Sequence, residues 1–120
     1  MYSDEMSIIN ELLKKSVEDA VTWEMVSPPT ILSATTDLTI ISCYKASGIN
    51  ESSGTLYLFK YRVPEYDGEY NKFFNLTKVG LALINNGQIT WHSISDSIPA
   101  HSLYEYVSNK HSGIQNIFNV

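Results

Sequence analysis

Gly54-Thr55-Leu56-Tyr57-Leu58-Phe59-Lys60-Tyr61-Arg62-Val63 and Leu76-Thr77-Lys78-Val79-Gly80-Leu81-Ala82-Leu83-Ile84-Asn85-Asn86-Gly87-Gln88-Ile89-Thr90-Trp91 are the two stretches on which the fold turns. In the first, side chains of period two place Tyr57, Phe59, Tyr61 and Val63 on one face and Leu56, Leu58, Lys60 and Arg62 on the other, so the segment reads as a strand with its aromatic face toward the core. In the second, Val79, Leu81 and Leu83 alternate up to Asn85-Asn86-Gly87, residues that tolerate the positive φ angles of a tight reversal. The pattern predicts a hairpin returning through Gln88–Ile94.

Working outward from this pair, Ser47 to Gly54 is a turn by composition. Ile31–Thr36 and Leu38–Ala46, rich in Ile, Leu and Thr, read as two strands or one strand bent at Asp37, and Thr22–Val26 reads as a short strand ended by Pro28-Pro29. Before these, Ile9, Leu12, Leu13, Val17, Ala20 and Val21 recur at spacings of three and four, which predicts an amphipathic helix from Ser3, as N-cap, to about Val21. After the hairpin, Ser97 or Ile98 opens a last helix with Pro99 in its first turn, Leu103 and Val107 at helical spacing and Gly113 as its stop. Ile114, Ile117 and Phe118 are expected to pack back as a tail.

The order helix, five or six adjacent strands, helix, joined by short connections and with no βαβ alternation, predicts an α+β domain spanning residues 1–120. Its core is a single antiparallel meander with an N-terminal and a C-terminal helix. At 120 residues, with 43% hydrophobic and 18% charged side chains, the chain can bury a core without disulfides or a structural metal.

Charge restricts the partners. The net charge is −5, and residues 1–24 hold Asp4, Glu5, Glu11, Glu18, Asp19 and Glu24 against Lys14 and Lys15. Nucleic-acid affinity comes mostly from Lys and Arg neutralising phosphates, and no basic stripe exists to do so. Nucleic acid and anionic membranes are therefore not expected partners; another protein is, and the balance is compatible with a basic one, although mild acidity chiefly keeps a protein in solution. A single Cys43 and an acidic rather than basic-then-apolar start point to a reducing, cytoplasmic setting. No apolar run reaches the roughly 20 residues that span a bilayer.

Catalytic constellations are wanting. Cys43 lies mid-strand, where a buried thiol is inert. Ser42-Cys43-Tyr44-Lys45 spells an S-x-x-K, but the further motifs of serine β-lactam enzymes are missing. His92, His101 and His111 have no metal-ligand spacing, and the glycines are scattered singly rather than gathered in a phosphate loop. Glu65, Asp67 and Glu69 share a polar loop, the setting of solvated carboxylates. The expectation is a non-enzyme without catalytic residues, cofactor or metal.

One stretch stands apart: Pro64-Glu65-Tyr66-Asp67-Gly68-Glu69-Tyr70-Asn71-Lys72-Phe73-Phe74-Asn75. Tyr66, Asp67, Glu69, Tyr70, Phe73 and Phe74 make a candidate protein-binding patch on a connection, because rings offer large contact area at low entropic cost. The alternative is a long hairpin whose aromatics fold back on the sheet.

The leading helix with Trp23 soon after it and the strand Gly54–Tyr61 resemble segments of a group of small bacterial and phage proteins with no assigned activity. So do the run Leu81–Trp91, Leu103-Tyr104-Glu105-Tyr106-Val107 and the closing Ser112–Phe118. His92 departs from that pattern, which has an acidic residue after the Trp. The resemblance implies a bacterial or mobile-element setting. Together these readings favour a non-catalytic, protein-binding regulator or inhibitor. Two alternatives stand beside it: a small-ligand module or minor enzyme with a pocket between sheet and helix near His92 and His101, and an edge-strand homodimer.

Overall fold

The structure is a computed structural model that describes residues 2–34, 39–49, 51–93 and 97–112. Helix α1 (Tyr2–Val17) is followed by strand β1 (Thr22–Met25), a short helix α2 (Thr30–Ala34) and strand β2 (Thr39–Ser47). A single 3-10 turn (Glu51–Ser53) leads into β3 (Thr55–Asp67), β4 (Lys72–Asn85), β5 (Gln88–Ser93) and helix α3 (Ile98–Ser112). The five strands form one open antiparallel sheet in the order β1-β2-β3-β4-β5, so the fold is α+β and the sheet is a meander.

The sheet is covered on both faces, unequally. On one face Ile9 and Leu12 of α1 and Ala100, Leu103 and Val107 of α3 pack over Tyr44, Leu56, Leu58, Val79 and Leu81. On the other, Leu32 of α2 closes a smaller cluster with Cys43, Phe59, Tyr61 and Ala82. The expectation that the aromatic face of Gly54–Val63 meets the core is therefore half the answer. The larger core lies on the Leu56/Leu58 face, because two helices need an aliphatic floor, whereas among the described residues the Tyr57/Phe59/Tyr61 face receives one short helix.

Three local differences from the sequence reading have physical causes. Ile31 and its neighbours form α2 rather than a strand: Pro29 presets the first turn, Leu32 N–H donates to its carbonyl at 3.0 Å, and Leu32 drops into the pocket of Phe59 and Cys43. Helix α1 stops at Val17 because Asp19 takes a left-handed φ of 62°, while Ala20 N–H returns to the Lys15 carbonyl at 2.9 Å. Ser3 lies inside its first turn, not at its cap. Pro64–Asn75 is not a connection: β3 and β4 run on through it as a paired hairpin from Val63↔Leu76 to Asp67↔Lys72. Pro64 lies beyond Thr39↔Arg62, the last β2–β3 pair among the described residues, where its missing amide hydrogen breaks no described ladder bond.

The expected hairpin at Asn85–Gln88 is present, with Asn86 and Gly87 at φ 54° and 74°. Ser97 accepts a hydrogen bond at its Oγ from Ala100 N–H at 3.3 Å and so starts α3. The expected Asp37 interruption, the Gly113 stop and the tail with Ile114, Ile117 and Phe118 lie outside the described residues. Among the described residues, no helix is long and apolar enough to cross a membrane.

Candidate functional site

Among the described residues, β3 beyond Arg62 and β4 before Gly80 pair only with each other. Among them, β2 flanks β3 as far as Arg62, and β5 meets β4 from Leu81 onward. A two-stranded arm thus projects from the five-stranded body. An isolated two-stranded ribbon is marginal in water, so this one depends on being rooted in the sheet.

All six residues of the aromatic-acidic patch lie at the end of this arm. Tyr66 and Phe73 are cross-strand partners with ring centroids 5.1 Å apart at 52°. The Tyr66 hydroxyl donates to Asn71 Oδ1. Asp67 accepts from Glu69 N–H at 3.0 Å and Tyr70 N–H at 3.4 Å through one carboxylate oxygen, which closes the turn. Asn71 supplies the left-handed residue, φ 51°, that redirects the chain into β4. Lys72 Nζ lies 5.9 Å from the Tyr70 ring centroid. Phe74 sits on the opposite face, beside Glu65.

The rings do not fold back. Phe73 is 71% exposed, Tyr70 67%, Tyr66 51% and Phe74 42%. The segment is a long hairpin, as one sequence reading had it, and an exposed aromatic patch, as the other had it. Its geometry is held by ring stacking, a carboxylate-capped turn and a cross-strand ladder, so little order remains to be acquired on binding.

The alternative pocket near His92 and His101 does not assemble from both histidines. Trp91 faces α1, which leaves His92 exposed on the other side of the sheet, whereas His101 lies on α3. His101 does line an open cleft of about 340 Å3 with Lys60, Thr77, Tyr104 and Glu105. There Lys60 Nζ lies 5.6 Å from the Tyr104 ring centroid, and the Tyr104 hydroxyl is hydrogen-bonded to Ser42 Oγ. The Ser42 and Lys45 of the S-x-x-K stretch fall on opposite faces, opposite Lys60 and Tyr57 respectively. Cys43 is buried beneath Leu32 and Phe59, and burial pushes its thiol pKa up to about 11, which keeps it protonated. Among the described residues, no three His, Cys, Asp or Glu side chains gather to hold a metal ion.

What sequence reasoning left open is whether the patch is carried on strands or on a connection. The signal was present: Glu65, Tyr66 and Asp67 alternate in kind with Lys72, Phe73 and Phe74 about a Gly-containing turn. Comparison with protein-family models, curated proteins and solved structures returns no match.

Proposed function

We propose that the chain is a non-catalytic protein-binding module, a regulator or inhibitor, that docks on a protein partner with the tip of its β3–β4 arm. The observation that carries this reading is the set of exposed rings held on a pre-ordered hairpin, where Tyr66, Tyr70 and Phe73 remain in solvent although the chain has two faces of sheet on which to bury them. Surface aromatics scattered singly need no explanation, but a cluster held in place by a capped turn does. Such rings serve as anchors for pockets on a partner. Glu65, Asp67 and Glu69 outnumber Lys72 around them, so the fitting pocket has a basic rim. A bacterial or phage setting, implied by the resemblance of the hairpin and last helix, agrees with a small regulator.

The experiment places a photo-crosslinking residue at Tyr70 and irradiates the chain in its source cell. A single stoichiometric adduct is expected, absent when the crosslinker is moved to Glu11 on α1. A Phe removes about 200 Å2 of surface from water when fully buried, so Phe73→Ala is expected to cost about 2–3 kcal/mol, roughly 30- to 150-fold in Kd. Equal labelling from both positions, or an affinity indifferent to Phe73→Ala and Tyr66→Ala, would remove the arm as the docking element.

A further inference from the structure

Lys60 breaks the pattern of the face on which it stands. Along β3 that face runs Leu56, Leu58, Lys60, and Lys60 lies across from Val79 of β4 and Ser42 of β2. Leu58 is 0% and Val79 2% exposed, so an aliphatic residue at position 60 would extend the core toward the arm. A half-buried ammonium in its place costs desolvation and is ordinarily matched by a carboxylate. Among the described residues, no carboxylate and no hydrogen-bond acceptor meets it; what it meets is the Tyr104 ring, 5.6 Å from Nζ to the centroid. Arg62, next along the same face, has no carboxylate partner among the described residues either. With 13 Asp and Glu against 8 Lys and Arg, two neighbouring cations are not left unmatched for want of acids.

The unmatched ammonium lines the open cleft of about 340 Å3 between α3 and the root of the arm. Thr77 of β4 shares the strand side of this cleft, and His101, Glu105, Ser108 and Asn109 line it from α3. The Tyr104 hydroxyl is hydrogen-bonded to Ser42 Oγ, which fixes the ring that in turn positions Lys60 Nζ. Hydroxyl, amide and imidazole groups from β4 and α3 thus converge on a pre-set cation from β3, in a cleft of the size that holds a small molecule.

We infer that this cleft binds a small organic anion, with a carboxylate or phosphate group held by Lys60 and Thr77 and a polar remainder facing Ser108 and Asn109 of α3. Charge selects the class: a tethered ammonium among neutral hydroxyl and amide donors suits an oxyanion, and each such bond is charge-assisted. Arg62 follows roughly 6–7 Å further along the strand, within reach of a second negative group such as that of a dicarboxylate. Glu105 in the same lining repels a run of acids, so a small ligand that brings one or two negative groups fits better than a strongly acidic protein segment. The inference goes beyond the docking role of the arm and stands without it, since Tyr66 and Phe73 lie at the other end of the arm.

Amide chemical shifts recorded while the chain is titrated with succinate, with inorganic phosphate and, separately, with a hexaglutamate peptide test it. Succinate or phosphate is expected to give saturable shifts centred on Lys60, Thr77 and Ser108, with a Kd of about 1 mM or tighter. Lys60→Met is expected to weaken binding about tenfold or more while the melting temperature holds or rises, because it completes an apolar row at the expense of the site. Thr77→Val is expected to weaken binding as well, and Lys15→Met on α1 to leave it unchanged. No saturation with either small anion, shifts that gather on Lys14 and Lys15 instead, or binding indifferent to Lys60→Met would overturn the inference. So would saturation by hexaglutamate alone, which would make the cleft a seat for an acidic protein segment. A Lys60→Met chain that melts well below the parent would overturn it too, by showing that the fold itself requires the lysine.

Discussion

Gly80 stands at the root of the arm, opposite Phe59. Its backbone is ordinary, so the need for glycine there is one of space. A methyl group at this position would lie 2.8 Å from Phe59 Cζ and 2.9 Å from Cε2, with the Ser93 carbonyl oxygen at 3.2 Å. Carbon atoms in contact keep about 3.5–4.0 Å, so the ring would have to retreat by most of an ångström. It has nowhere to go, being 1% exposed and packed against Leu32, Cys43 and Tyr61. Overpacking of this kind costs about 1–3 kcal/mol. For a domain of this size that lowers the melting temperature by roughly 3–5 °C per kcal/mol. Gly80→Ala is therefore expected to melt about 3–15 °C below the parent in calorimetry. Phe59→Leu removes the clashing ring edge at its own cost, so the double variant should be less destabilised than the two single losses summed, with a coupling of about 1 kcal/mol or more. A Gly80→Ala protein that melts with the parent, or strict additivity with Phe59→Leu, would refute the steric argument and with it the tight seating of β3 on β4 at the base of the arm.

Two further outcomes follow from buried groups. Ser16, 1% exposed, donates to the Leu12 carbonyl at 2.7 Å and accepts from Trp23 Nε1 at 2.8 Å, so Ser16→Ala strands the indole N–H and is expected to cost about 1–3 kcal/mol in urea denaturation. Trp23→Phe should abolish most of that penalty in the double variant, and a Ser16→Ala cost that is unchanged on a Trp23→Phe background would show that the bond contributes nothing. Cys43 has its thiol pKa raised by burial from 9.0 to about 11, so the unfolded chain loses this proton first as pH rises. Stability contributed by the neutral buried thiol is whole below about pH 9 and declines between 9 and 11; Cys43→Ala should flatten that part of the profile, and thiol labelling at pH 8 should be far slower in the native state than in urea.

Local patterning carried most of the fold. The three- and four-residue spacing of Ile9 and Leu12 marked α1, the alternation from Leu56 to Val63 marked β3, and Asn86-Gly87 marked the β4–β5 turn, because each signal is confined to a few neighbouring residues. Ile31–Leu32 misled for the same reason in reverse: a short apolar run has no period long enough to separate strand from helix, and what decided it was a pocket built by Phe59 and Cys43 from distant parts of the chain. The end of α1 was also misplaced, since Val21 is apolar and buried but reaches the core from beyond a left-handed Asp19.

The candidate site divides along the same line. Composition alone singled out Tyr66, Asp67, Glu69, Tyr70, Phe73 and Phe74, and hydrophobic periodicity alone required a helix-flanked antiparallel sheet, because both depend only on which residues stand near one another in the chain. Whether those rings were buried or offered to solvent depended on how far β2 and β5 extend beside β3 and β4. Strand length on neighbouring ladders is a property of register between remote segments, and no window of sequence contains it. Among the described residues β2 pairs with β3 as far as Thr39↔Arg62 and β5 with β4 from Ser93↔Leu81, and it is the length of β3 and β4 beyond those pairs that makes an arm of two ordinary strands.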